Sequence, residues 1–255
     1  MVRLDLNLPQ SIDPEPTDDI QWPPTQLDSD EPPLETDFHR NQIDLLIRLL
    51  KHCWQDRPDF YISGNLTVYY NAQQLKKRDF RGPDIFVVLG AEKKDRRSWA
   101  VWEEGGKYPN VVIELLSSAT AAVDKGPKKD LYQNVWRVPN YFWFHPQTME
   151  FAGFHLVKGQ YEALTPTENG WLWSDQLKLY LGIYENQLRW FSAEGQLVPL
   201  PEEAERQARE QERRAKEQAM QARAQEQQAK EEVQQRVKQL EALLRAQGID
   251  PSTIA

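Results

Sequence analysis

The sequence predicts an α/β domain followed by a long polar helix, and three features carry that reading. Two apolar runs rich in β-branched residues, Ile85-Phe86-Val87-Val88-Leu89 and Val111-Val112-Ile113-Glu114-Leu115-Leu116, are too short for helices and read as buried strands. Ile43, Leu46, Ile47 and Leu50 recur at i, i+3, i+4 and i+7, the stripe of an amphipathic helix. From Pro201 the composition turns to Glu, Gln, Arg, Ala and Lys, with no glycine until Gly248. That is helix-forming throughout.

Taken in order, residues 1–34 are rich in Pro and Asp without apolar periodicity and predict a disordered leader. A domain is expected over 35–200. Its first helix begins near Asp37, with Thr36 or Asp37 as cap. Tyr61 to Tyr70 reads as one strand, with Ile62, Leu66, Val68 and Tyr70 on one parity. The Ile85–Leu89 strand follows Pro83-Asp84. Ser98 to Glu103 adds a short strand, closed by a Gly105-Gly106 turn. After the strand around Glu114, a small-residue turn from Ser117 to Ala122 leads into a helix over 124–135, with Pro127 in its first turn. Tyr141 to Phe144 makes an aromatic strand, Glu150–Leu156 and Gln160–Leu164 a hairpin, and Leu188–Ser192 the last strand. Helix, strands, helix, strand is a layered α/β order rather than a bundle or sandwich.

The polar helix is expected over 201–247, with a flexible end at 248–255. Alanines 208, 215, 222 and 229 recur every seven residues, with Ala219 and Val233 on the same seam; Val237, Leu240 and Leu244 continue it after a shift of register. Alanine fills a coiled-coil seam poorly, so association through this helix should be weak or depend on a partner. A solvated single helix fits equally.

Bulk properties narrow the function. A 40% apolar fraction and nine tryptophans suffice for a real core, yet no apolar run approaches the roughly 20 residues that span a bilayer. Met1 to Gln10 lacks the basic start and apolar stretch of an export signal. One cysteine, Cys53, excludes an internal disulfide and a cysteine zinc site, and suits a reducing cytoplasm. The formal charge of −8 argues against a nucleic-acid partner until its distribution is read. Residues 71–137 hold thirteen Lys or Arg against nine Asp or Glu, a local balance of +4, while 201–247 hold ten of each. A phosphate-binding surface would therefore lie on the middle third, at Lys76-Lys77-Arg78 and Lys93-Lys94-Asp95-Arg96-Arg97. Either cluster alone also reads as solvated loop charge.

Chemistry concentrates where carboxylates enter apolar strands. Asp84 opens one buried strand and Glu114 interrupts another. Buried carboxylates need a cation beside them, and two that converge with a strand carbonyl make an all-oxygen site suited to Mg²⁺. Lys128 precedes Leu131, Tyr132 and Val135 by three, four and seven positions and so shares their inward face, whereas Lys129 lies at the flank. Lys128 could stabilise charge on a phosphate, or simply tie the helix to the sheet through Glu114.

These residues carry a resemblance. Arg81-Gly82-Pro83-Asp84, Val111 to Ser117, Asp124 to Tyr132 and Pro139 to Phe144, in that order, resemble a bacterial family of restriction-endonuclease-like proteins in the PD-(D/E)XK nuclease superfamily. Glu35 to His39, Ser63 to Leu66 and Phe151 to Phe154 also match, so the likeness spans about 35–200. It implies a mixed sheet flanked by helices and Mg²⁺-dependent endonucleolytic cleavage of phosphodiesters, most naturally in DNA, with Mn²⁺ able to substitute. By position, Asp84 and Glu114 are the implied metal ligands. The superfamily's E-x-K lysine is missing, since Leu116 stands two residues after Glu114, and its role passes to Lys128. His39 is a weaker candidate, because a histidine near a helix start also serves to cap or pack. The alternative is an inactive descendant of the same fold that binds or regulates through its C-terminal helix, alone or as a homo-oligomer.

Overall fold

A computed structural model of the chain describes residue 27 and residues 36–71, 80–117 and 120–248. The predicted leader apart from residue 27, the Lys76-Lys77-Arg78 cluster and nearly all of the C-terminal end lie outside these residues. The chain divides into two compact units, 1–198 and 199–255.

In the first unit, α1 (Asp37–Cys53) is capped by Thr36, whose hydroxyl accepts the His39 N–H. Its buried stripe is wider than the predicted four residues: Ile43, Leu46 and Leu50 are joined by His39, Gln42, Leu45 and Leu49, while Ile47 is half-buried. A six-stranded sheet forms the centre. In spatial order it runs β1 (Phe60–Ser63), β4 (Ile85–Leu89), β6 (Val111–Leu115), β7 (Asn140–His145), β8 (Glu150–Val157) and β9 (Gln160–Ala163). It is mixed: β6 and β7 pair parallel, and the other neighbours pair antiparallel. Two three-stranded sheets complete the unit, β3 (Phe80–Arg81) with β2 (Val68–Tyr69) and β5 (Trp99–Ala100), and β10 (Leu172–Ser174) with β11 (Leu179–Tyr184) and β12 (Gln187–Phe191).

Alternation sorts the central strands into two faces. Phe86, Val88, Val112 and Tyr141 share one apolar cluster with Tyr132 and Trp136 and with Val68 and Trp99 of the small sheet. Residues of opposite parity, such as Phe142 and Phe144, meet Phe151 and Phe38. On that side α1 is tied to the last sheet by the Gln42 side chain, which bonds the Leu188 N–H and C=O, and by the Trp190 indole donating to the Leu46 carbonyl.

The structure corrects the sequence expectations in four places. Tyr61–Tyr70 is not one strand. Asn65 takes φ 46°, and a Cβ on Gly64 would lie 2.5 Å from the Asp84 carbonyl, so the chain turns sharply and β1 and β2 join different sheets. Only Trp99–Ala100 of the predicted 98–103 strand pairs, because a turn follows at once. The helix near Lys128 starts earlier, as α2 (Ala121–Val123), a π-helical turn (Asp124–Lys128) and α3 (Lys129–Asn134). Pro127 therefore sits inside a continuous helical segment, and the wider π turn absorbs its missing N–H. Val135, expected to face inward, is 51% exposed because the helix has ended. Finally, β10 and β11 have no counterpart in the sequence expectations.

The second unit is the helix α4 (Pro201–Ala246), within a residue of its predicted end. Pro201 occupies its first turn, and the Glu203 carboxylate accepts the Leu200 N–H at 2.8 Å. None of its residues is buried. Among the described residues, no helix is long and apolar enough to cross a membrane.

Candidate active site

Register brings the two carboxylates together. In the β4–β6 pairing Ile85 faces Ile113 and Phe86 faces Val112, so one further step sets Asp84 opposite Glu114. Both side chains share the parity of Phe86 and Val112 and lie on the face covered by Tyr132 of α3. The contacts are direct: the Asp84 N–H donates to Glu114 Oε2 at 3.3 Å, and the Leu115 N–H donates to Asp84 Oδ2 at 2.6 Å. Glu114 is wholly buried, while Asp84 keeps some access to solvent.

The helical segment above supplies the rest. Asp124, Lys128 and Tyr132 stand four residues apart and point down together. Lys128 Nζ lies 3.1 Å from Glu114 Oε2 and 2.8 Å from Asp124 Oδ1. The Tyr132 hydroxyl donates to Glu114 Oε1 at 2.6 Å, and the Tyr141 hydroxyl donates to the Asp124 carbonyl at 2.8 Å. Lys128 thus takes the inward position expected of it. Lys129 lies aside, its ammonium 3.6 Å over the Phe154 ring. His39 reaches the edge of the cluster without touching either strand carboxylate. Its Nε2 bonds the Leu115 carbonyl at 2.9 Å and its Nδ1 pairs with the Thr36 hydroxyl at 2.8 Å. Because a carbonyl can only accept, the Leu115 bond requires hydrogen on Nε2.

Asp124 is the residue sequence reasoning passed over. Read as a helix start, it is 1% exposed and belongs to the cluster. The i, i+4, i+8 spacing of Asp124, Lys128 and Tyr132 carried that signal, hidden by the assumption that the helix began there.

Three buried carboxylates around one ammonium set the electrostatics. Burial raises the Glu114 carboxyl to about 8, against the pull of Lys128 and with the push of Asp84 and Asp124. Burial likewise raises Asp84 to about 6. Burial disfavours the Lys128 ammonium, but Glu114, Asp124 and Asp84 outweigh it and raise its pKa. These shifts belong to one equilibrium: Lys128 stays charged, and Asp84 and Glu114 hold their protons well above the ordinary carboxylate range.

A divalent cation fits this donor set. Three carboxylates less one ammonium leave two uncompensated charges when all are ionised. The Asp124 Oδ1 atom is buried and, although close to Lys128, receives no aligned hydrogen bond. Among the described residues no group of three or more His, Cys, Asp and Glu side chains is arranged as a ready metal cage. Two facing carboxylates such as Asp84 and Glu114 are a donor set that a hard divalent cation could use, its remaining positions left to water or phosphate.

Residues 26–189, well over half of the chain, match the model of the Uma2 family, described as "Putative restriction endonuclease". The chain belongs to the Uma2 family. No curated protein matches it. A solved structure described as "a putative nuclease belonging to DUF820 from Anabaena variabilis ATCC 29413" is similar at 12% identity, with a TM-score of 0.41, over 57% of this chain and 76% of that one. The Uma2 match encloses every element of the cluster, from His39 on α1 to Tyr141 on β7.

Proposed function

We propose that this Uma2-family chain is a metal-dependent endonuclease of the PD-(D/E)XK type that hydrolyses phosphodiester bonds in DNA in the cytoplasm. The observation that carries the reading is the facing pair Asp84 and Glu114, with the Lys128 ammonium 3.1 Å from Glu114 Oε2. In this reading Asp84 and Glu114 hold Mg²⁺, with Mn²⁺ as substitute. The bound ion would supply Lewis-acid polarisation of the scissile phosphate. Lys128 supplies a preorganised positive charge where the phosphate gains negative charge, replacing the lysine absent at Leu116. Tyr132 fixes the Glu114 carboxylate, and Asp124 holds Lys128 in position.

One observation favours a second reading, a nuclease-fold module that binds without cutting. Lys128 is engaged by two carboxylates at once, an arrangement that also serves as an internal strut between helix and sheet. The deciding experiment has two parts. Calorimetric titration with Mn²⁺ should show binding by wild type and none by Glu114→Ala. Nicking of supercoiled plasmid with Mg²⁺ or Mn²⁺ should then proceed with wild type and vanish with Glu114→Ala. Metal binding without cleavage on a broad nucleic-acid panel supports the module, and equal Mn²⁺ binding by Glu114→Ala overturns the site.

A further inference from the structure

A cleft of about 450 Å³ runs beside β1, lined by Lys51 of α1, the four residues of β1, and the loop from Lys93 to Arg96. β1 is the terminal strand of the central sheet, and among the described residues no strand pairs with its outer edge. Its register pairs Phe60 with Leu89 and Ser63 with Phe86, which sets the Ser63 end beside Asp84; the Asn65 N–H donates to the Asp84 carbonyl at 3.2 Å. Alternation places Tyr61 and Ser63 on the same face as Asp84 and Glu114. From Phe60 to Ser63 is about 10 Å at roughly 3.3 Å per residue.

The cations of this cleft differ in what they are free to do. Arg96 is a fixed wall: Glu104 accepts from it at 2.6 and 2.9 Å, and its guanidinium lies 4.5 Å over Tyr61 and 4.8 Å over Trp99. Lys94 lies 3.3 Å from Glu92. Lys51 and Lys93 are exposed, and among the described residues neither has a carboxylate partner; Lys93 only overlies the Phe60 ring at 5.6 Å. Asp95 is the acid among the lining residues.

We propose that this cleft seats the phosphate backbone of the nucleic-acid strand next to the bond being cut, with Lys51 and Lys93 as its cations and the Ser63 hydroxyl at the end nearest Asp84. The inference rests on the nuclease reading above and adds where the strand runs. Two ammonium groups without a carboxylate partner among the described residues favour a polyanion over a peptide strand added along the β1 edge.

The test is fluorescence anisotropy of a short labelled DNA duplex with the full chain in EDTA, across a range of NaCl. Wild type should bind. The Lys51→Gln/Lys93→Gln protein should bind at least about tenfold more weakly at moderate salt, with a salt slope smaller by about 1.8, roughly 0.9 for each phosphate that is no longer neutralised. Lys158→Gln, at an exposed turn far along the sheet, should bind like wild type. Both lysines are exposed, so the thermal midpoint should not move. Unchanged affinity and slope in the double variant, or no DNA binding by wild type, overturns the proposal. Competition by inorganic phosphate as strong as by DNA would mark a free-anion site and overturns it too. Plasmid cleavage separates the two readings: cleavage with an unaltered KM in the double variant sinks the cleft alone, while lysine-dependent binding without cleavage sinks the nuclease alone.

Discussion

Glu114 has no contact with solvent, yet its carboxylate meets a phenol, an ammonium and a backbone N–H within 3.3 Å. That combination makes single-residue experiments informative. Glu114→Gln keeps an acceptor for the Tyr132 hydroxyl and removes the charge that burial penalises. It should abolish Mn²⁺ binding in calorimetry while raising the metal-free thermal midpoint at pH 8; a lowered midpoint would show that the charge is needed for folding. Lys128 and Lys129 provide an internal contrast. If the protein cleaves DNA, Lys128→Ala should lower the rate about 100- to 1,000-fold, the usual loss for one preorganised donor. Lys129→Ala removes only the ammonium that lies over Phe154 and should stay within a few-fold of wild type in the same plasmid assay. Equal losses would refute the distinct placing of the two ammonium groups. Lys128 was legible in the sequence because its helical spacing from Leu131 and Tyr132 holds. Asp124 was not, because its depth depends on where the helix starts.

At the scale of elements, the turn after β1 positions the site. Gly64 packs so closely under α1 and against the Asp84 carbonyl that any side chain must push one of them away. Gly64→Ala should destabilise the domain by about 1–3 kcal/mol, as overpacking does, and should weaken Mn²⁺ binding by shifting Asp84. Chemical denaturation and calorimetry together check this, and a fully native variant that binds Mn²⁺ normally would show that the turn is slack. The π turn over Asp124–Lys128 is the other such element. It sets Asp124 and Lys128 on one face despite Pro127, which a sequence rule places at a helix start because a missing N–H is harmless there. The competing solution, a widened turn inside a helix, leaves no pattern in the residues themselves.

Over the whole molecule, the raised carboxyl groups make stability depend on pH. Asp84 and Glu114 titrate at about 6 and about 8 when folded, against ordinary values of 3.8 and 4.5. Between the ordinary and raised values the folded state binds more protons than the unfolded chain, so stability falls as pH rises. The metal-free protein should therefore lose thermal stability from about pH 4 towards pH 8, and Glu114→Gln should flatten that slope. If Asp84 and Glu114 hold the metal as proposed, Mn²⁺ would displace their protons, and its affinity should rise over the same interval. A midpoint that climbs with pH in the absence of metal would contradict the burial of these groups. We further propose that 35–200 is an independent domain. Because α4 buries none of its residues, a chain ending at Leu200 should keep its fold and thermal midpoint, and a fall of more than a few degrees would refute that boundary. We also propose that the seam of Val233, Val237 and Leu240, all exposed, with the half-buried Leu244, supports weak self-association or a partner helix, which light scattering over a concentration range would reveal.

By itself the sequence determined the α/β class, the strands that carry Asp84 and Glu114, the inward lysine and the extent of the last helix. Those features rest on local periodicity and on the cost of placing a carboxylate among apolar residues, and both are written along the chain. Only the tertiary structure decided that Asp84 stands opposite Glu114, that Tyr61–Tyr70 divides between two sheets, that β10 and β11 pair at all, and that Asp124 joins the cluster. Each of these depends on register or on contact between segments far apart in sequence. Pairing across the sheet fixes which residues meet, and no periodicity within a single segment can encode that.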